Sequence, residues 1–133
     1  MIEKKNEEPP LVSLILTSYN YAQYLRTALQ AIEVQTRPAD EVIIIDDGSR
    51  DVSMEIIHEF ESRIPNVKIY KNEINLGVIN NANYGISLAK GKYIAICAAD
   101  DRLLPKFIEE SLDLLEKHPS AALCASRYNI FYG

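Results

Sequence analysis

The sequence predicts an α/β domain built on a mostly parallel sheet with helices on both faces. Three observations carry that expectation. Short apolar runs rich in β-branched residues alternate with segments of helical periodicity. The runs LVSLILT (11–17), EVIIID (41–46) and KYIAIC (92–97) are continuous rather than alternating, as strands buried on both faces are. The helical segments between them are long enough to cross from one parallel strand to the next.

Each element has its own signals. LVSLILT reads as the first strand. From Tyr21 to Gln35 the period changes, and Leu25, Ala28, Leu29 and Ile32 fall on one helical face before Arg37-Pro38 ends the helix. EVIIID is the second strand. Gly48-Ser49 turns the chain, and Asp51 or Ser49 can cap a helix whose buried stripe is Met54, Ile57 and Phe60, ending near Ile64. VKIYK (67–71) is the third strand. A loop with Asn75 and Gly77 leads to a helix from Val78 to Ala89, which Gly91 stops. KYIAIC is the fourth strand. Pro105 opens a helix running to Lys117, and AALCAS (121–126) is expected as a fifth strand. Right-handed crossovers restrict the topology of such a chain.

Composition narrows the function. The chain has 133 residues, with 14 basic and 19 acidic side chains and a net charge of −5. An acidic surface lacks the basic face that phosphate backbones require, so no nucleic-acid partner is expected. No apolar run is long enough for a membrane-spanning helix. MIEKKNEEPP lacks the apolar core of a signal peptide, and residues 1–10 are expected as a flexible polar arm. A disulfide between Cys97 and Cys124 is open on the count alone. Without a secretion signal, two reduced thiols in a cytoplasmic protein are the expectation.

The chemistry gathers where the strands end. In an open parallel sheet, ligands sit outside the carboxyl ends of the strands, where the strand order switches. Those ends carry Thr17-Ser18-Tyr19-Asn20, Asp46-Asp47-Gly48-Ser49 and Ala98-Ala99-Asp100-Asp101. Four acids at one edge suit a phosphate ligand only with a cation between them. Mg²⁺ and Mn²⁺ take carboxylate oxygens and share the rest of their shell with phosphate. The glycines at 48, 77, 85, 91 and 133 form neither dinucleotide-binding nor P-loop spacing. His58 and His118 lie apart without partners at metal-ligand spacing. A receiver-type signalling domain would need an acid pair in place of TSYN and a lysine where only Arg127 is offered.

Taken in order, VSLILTSYNYAQYLRTALQAIEVQT, EVIIIDDGSRD and NEINLGVINNANYGISLAKGKYIAICAADD resemble the N-terminal half of a family 2 glycosyltransferase. The resemblance covers residues 11–126. It implies a GT-A fold, a Rossmann-like mostly parallel sheet, with 11–133 as a truncated N-terminal portion. It implies transfer of a sugar from a nucleotide-diphosphate donor, a UDP-sugar by expectation, to a carbohydrate or lipid-linked acceptor hydroxyl with inversion. Thr17 and Tyr19 would lie at the base. Asp47 would accept from a base N–H, and Asp46 would support that turn. Asn75, Gly77, Asn83 and Gly85 match the family's segment beside the donor. Asp100 would contact the ribose, and Asp100 and Asp101 would approach a Mn²⁺ or Mg²⁺ on the diphosphate.

The sequence departs from the family pattern in two places. Ala98 stands where the family's acidic end has its first acid, and Ala82 where an arginine commonly precedes Asn83. The catalytic base is expected beyond Gly133. The chain would then hold the donor and metal half-site and be inactive by itself. A non-catalytic nucleotide-sugar-binding module is the alternative. The resemblance implies polysaccharide or lipopolysaccharide assembly at the inner face of the cell membrane as the setting of the full-length protein. Asn80-Asn81 is expected as polar helix surface. An exposed sheet edge could pair with a second copy as a homo-oligomer.

Overall fold

The computed structural model describes residues 11–130. The expected arm (1–10) and the last three residues lie outside that range. Four strands form one sheet: β1 (Val12–Ser18), β2 (Glu41–Asp46), β3 (Val67–Lys71) and β4 (Tyr93–Ala98). Every ladder is parallel, in the order β3-β2-β1-β4. Four helices connect and follow them: α1 (Ala22–Glu33), α2 (Ser53–Phe60), α3 (Val78–Leu88) and α4 (Phe107–Lys117). The expected α/β class and parallel sheet are therefore present.

Alternation of side chains along β1 and β2 divides the core between two faces. Val12, Leu14, Leu16, Val42 and Ile44 pack with Leu25, Leu29, Ile57, Phe60, Ile108 and Leu112, which come from α1, α2 and α4. Ile15, Ile43 and Ile45 point the other way, toward Tyr70 and the end of α3. Gly85 lets α3 sit close on that second face. A Cβ there would lie 2.6 Å from Ile15 Cγ2 and 3.0 Å from Ile45 Cδ1. The helical stripe Leu25, Ala28, Leu29 and Ile32 is buried as its period requires.

Two expectations change. Residues 121–126 form no strand. A strand exists only with a ladder partner, and this segment pairs with none among the described residues. Ala122, Leu123 and Cys124 instead wall a cleft of about 480 Å³ between β4 and α4. Burial on both faces also fails at the sheet's edges. β1 and β2 are buried throughout, whereas Ile94 and Ile96 of β4 are 43% and 49% exposed. Helix α3 packs over β1 and β2 and leaves this side of β4 uncovered.

The bottom of the sheet is tied by a buried acid. Glu41 Oε1 accepts from Ser13 Oγ at 3.1 Å and Lys90 N at 3.1 Å, and its Oε2 meets Lys68 Nζ at 3.3 Å. These bonds lie at the end opposite the candidate site. They fix where α3 hands the chain to β4.

Candidate functional site

β1 is the strand from which the order reverses, with β2 and β3 on one side and β4 on the other. The crevice outside the carboxyl ends of β1 and β4 is therefore the ligand position of an open α/β sheet. Backbone bonds bring the three loops together there. Asp47 N donates to Ser18 O at 2.8 Å, and Ala99 N donates to Thr17 O at 2.9 Å.

The β2–α2 turn is tightly bonded. Asp46 is fully buried, and its Oδ1 accepts from Ser49 N at 2.8 Å. Asp46 Oδ2 and the buried Ser18 Oγ have no partner among the described residues. Ser49 does not cap α2. Its Oγ accepts from Asn20 N at 2.8 Å, while Asn20 Oδ1 accepts from Arg50 N at 2.8 Å. Asn20 takes φ +53, a conformation asparagine tolerates. Asp51 closes the same region, accepting from Ser53 N at 3.0 Å and from Ala22 N, at the start of α1, at 3.1 Å. Partial burial pushes the Asp51 carboxyl up, but these hydrogen bonds outweigh it and hold the group below its ordinary range.

Asp47 is 3% exposed and engaged on both oxygens. Oδ1 accepts from Asn72 Nδ2 at 2.8 Å and Leu76 N at 2.9 Å, and Oδ2 accepts from Gly77 N at 3.0 Å. A carboxylate has roughly four lone-pair sites, so about one remains. Asn75 Oδ1 accepts from the same Gly77 N at 2.9 Å. Thus Asp47, Asn75 and Gly77 meet. Thr17 is buried at the end of β1, and Tyr19 beside it is 39% exposed. Asn83 sits on an exposed face of α3, away from the Asp47 cluster's hydrogen bonds. Arg50 and Lys71, with Gly48, Ser49, Asn72 and Glu73, line an adjoining cleft of about 310 Å³.

The β4–α4 loop is more open. Asp100 and Asp101 are both exposed. Asp101 Oδ2 accepts from Ala98 N at 2.9 Å, closing its own turn. The loop's far end is gripped by Gln35, which is 6% exposed just after α1. Gln35 Nε2 donates to Ala31 O at 3.0 Å and Leu104 O at 2.8 Å, and Oε1 accepts from Ile108 N at 3.1 Å. Thr36 N donates to Pro105 O at 2.8 Å. Cys97, beneath this loop, has its thiol pushed up to about 12 by burial and by the charge of Asp101. Both cysteines are free.

The two acidic ends do not merge. No group of three or more His, Cys, Asp or Glu side chains is placed to hold a metal among the described residues. The donor set at Asp100 and Asp101 nonetheless fits a hard divalent ion. Three of its four carboxylate oxygens make no hydrogen bond, and such ions complete their shells with water or phosphate oxygens.

Asn72, Asn81 and Gln35 were not expected at or behind the site. The reading of Asn81 as polar surface is corrected, since it is 2% exposed. One signal was available: Asn81 precedes the sheet-facing Gly85 by four residues, which places both on one face of α3.

The profile of Glycosyl transferase family 2 matches residues 13–133. An uncharacterized glycosyltransferase of Haemophilus influenzae is 39% identical over 112 residues, covering 84% of this chain and 35% of the relative. The uncharacterized glycosyltransferase YibD of Escherichia coli is 36% identical over 114 residues, covering 85% of this chain and 33% of the relative. The chain thus spans about a third of the length of these relatives. Among solved structures, S. aureus TarS 1–349 in complex with UDP-GlcNAc aligns at TM-score 0.77 and 23% identity, over 82% of this chain and 32% of that one. The mannosyltransferase PcManGT of Pyrobaculum calidifontis, in complex with GDP-Man and Mn²⁺, aligns at TM-score 0.70 and 24% identity, over 86% of this chain and 34% of that one. These likenesses identify the fold as the Rossmann-like part of GT-A. The profile match and the relatives' identity place the chain in glycosyl transferase family 2.

Proposed function

We propose that this chain forms the nucleotide-sugar donor half-site of a glycosyltransferase that moves a sugar from a UDP-sugar to an acceptor hydroxyl with inversion. The observation that carries the reading is Asp47, a buried carboxylate at the crevice with one lone-pair site left after three N–H bonds. An acceptor of that kind suits a base presenting a ring N–H, as uracil and guanine do. Cytosine and adenine present a bare ring nitrogen there, and would face it lone pair to lone pair. Structures of like fold in complex with UDP-GlcNAc and with GDP-Man support the same pair of bases.

The other roles extend the same reading. Tyr19, partly exposed beside Thr17, offers its ring to the base. Asp46 braces the turn that carries Asp47. Asn75 and Gly77 hold the loop against Asp47, and Asn83 flanks the donor from α3. Asp100 meets the ribose, and Asp100 with Asp101 would hold Mn²⁺ or Mg²⁺. The ion, when bound, neutralises charge on the departing diphosphate. No general base is assigned to a residue of this chain. The acceptor is a carbohydrate or lipid-linked hydroxyl, and the setting is polysaccharide synthesis at the inner face of the cell membrane. No helix of the described residues is long and apolar enough to cross a membrane.

Calorimetric titration tests the reading: UDP with and without Mn²⁺, GDP as the comparison and CDP as the negative control. Binding of UDP that strengthens with Mn²⁺ and is lost in Asp47→Ala and Asp101→Ala is the expected result. No nucleotide binding by a folded, monomeric sample would overturn it. Binding by a longer parent protein that then shows no transfer would favour the non-catalytic alternative, which the alanine at position 98 recommends.

A further inference from the structure

Behind Asp47 lies a relay of two asparagine amides. Asn72 Nδ2 donates to Asp47 Oδ1 at 2.8 Å and to Asn81 Oδ1 at 2.9 Å, so both of its amide hydrogens are used. Asn81 Nδ2 in turn points at Ile45 O, at 3.4 Å. The amide orientations follow from chemistry. A main-chain carbonyl and a carboxylate can only accept, so each asparagine must turn its nitrogen toward its terminal acceptor. Flipping Asn72 would set oxygen against oxygen at both of its contacts, and flipping Asn81 would set oxygen against Ile45 O and amide N–H against amide N–H at Asn72.

The relay is anchored at both ends. Asn72 N donates to Asp46 O at 2.9 Å, which continues the β2–β3 ladder beyond Lys71. Asn81 rides on α3, whose position is set by the close approach of Gly85 to Ile15 and Ile45. Asn81 N also donates to Gly77 O at 2.9 Å, tying it to the loop whose Gly77 N reaches Asp47 Oδ2. Asp47 Oδ1 thus accepts from the Asn72 amide and Leu76 N, and Oδ2 accepts from Gly77 N. The carboxylate plane has no freedom to turn without breaking one of these bonds.

We propose that Asn81 is a positioning residue for nucleotide recognition: through Asn72 it fixes the Asp47 carboxylate so that its remaining lone pair faces a base N–H. This rests on the proposed donor site. Asn81 itself is buried and reaches Asp47 only through Asn72. Its influence passes through Asn72 to Asp47, and a double-mutant cycle can separate that influence from general damage.

The test measures UDP affinity of the parent chain, Asn81→Ala, Asp47→Asn and the double variant, with circular dichroism and urea midpoints confirming the fold of each. Asn81→Ala is expected to weaken UDP binding about tenfold, the size of one hydrogen bond to a charged group. In the Asp47→Asn background it is expected to have no further effect. Should Asn81→Ala fail to fold, Asn72→Ala at the half-exposed middle of the relay takes its place in the same cycle. Additive losses, or a UDP affinity within twofold of the parent in the single variant, overturn the positioning role while leaving the donor site standing. No UDP binding by the parent chain removes the donor reading and this inference together.

Discussion

Gly48 is the position where one added methyl tests the site's construction most directly. It follows Asp47 and holds φ +78. A Cβ there would lie 3.1 Å from Ile74 C and 3.3 Å from Asn75 N, both main-chain atoms that cannot swing aside. Gly48→Ala therefore meets two costs. The left-handed conformation costs an L-residue about 1–2 kcal/mol. Crowding against the 74–75 backbone adds about 1 kcal/mol, the low end for overpacking. Reduced freedom of the unfolded chain returns roughly 0.4–1 kcal/mol. The balance is a loss of about 2 kcal/mol, which at a urea slope of about 2 kcal/mol/M lowers the midpoint by about 1 M. Relief of the crowding must push the 72–77 loop away from Asp47, so UDP affinity should fall as well. Gly48→Asn separates the two costs, because asparagine accepts positive φ but keeps the crowding Cβ. It should recover part of the lost stability and little of the lost affinity. A Gly48→Ala midpoint within about 0.2 M of the parent would refute the described packing of loop on turn.

Other consequences can be checked as directly. Gln35→Ala leaves Leu104 O and Ile108 N without their side-chain partner, so a loss of about 2 kcal/mol and a fall of roughly 6 °C in Tm are expected by calorimetry. It should also weaken the Mn²⁺-dependent part of UDP binding, since the gripped loop carries Asp100 and Asp101. Cys97 is buried with its thiol raised to about 12, so a chromogenic disulfide reagent at pH 8 should titrate Cys124 in the native protein and Cys97 only after unfolding. Two fast thiols, or none, would contradict this placement. Partial burial pushes the Asp40 carboxyl up, but the N–H groups of Val12 and Leu11 and the Arg37 guanidinium outweigh it and hold it below its ordinary 3.8. Its stabilising effect is present above that ordinary value and lost as pH falls through the lower folded one. Between about pH 5 and pH 2, Asp40→Asn should therefore show a shallower decline in urea midpoint than the parent.

Much of the fold was legible because the central strands and the helix stripes are local patterns. EVIIID is apolar at its four central positions and is buried at every position. Leu25, Ala28, Leu29 and Ile32 share a face by period alone. What failed depends on neighbours distant in sequence. KYIAIC has the composition of a central strand, but it lies at the sheet's edge, and its two isoleucines are half exposed. AALCAS has strand composition and no ladder partner. The same limit governs the site. The Asp46-Asp47 turn was visible as acids following an apolar run, and its close tie to Gly77 spans 30 residues. Asn81 looked solvated because asparagine usually is. Only the seating of α3 through Gly85 shows that the face it shares is turned inward.

The two acidic ends, similar as sequence, are built differently. The Asp46-Asp47 turn is buried and bonded through Ser49, Asn72, Leu76 and Gly77, so it can present one acceptor in a fixed direction. Such preorganisation is what discrimination between bases requires, since a misdirected lone pair would be satisfied by rotation rather than by the right partner. The Asp100-Asp101 loop is exposed and held mainly at its two ends, by the Ala98–Asp101 turn and the Gln35–Thr36 grip. Two exposed carboxylates, one already accepting a backbone N–H, are too few to enclose a hard divalent ion without help. Such an ion keeps waters or takes phosphate oxygens. On the proposed donor reading, the ion therefore belongs with the diphosphate as much as with the protein. On that same reading, the buried turn selects the base and the open loop takes its charge partner from the nucleotide.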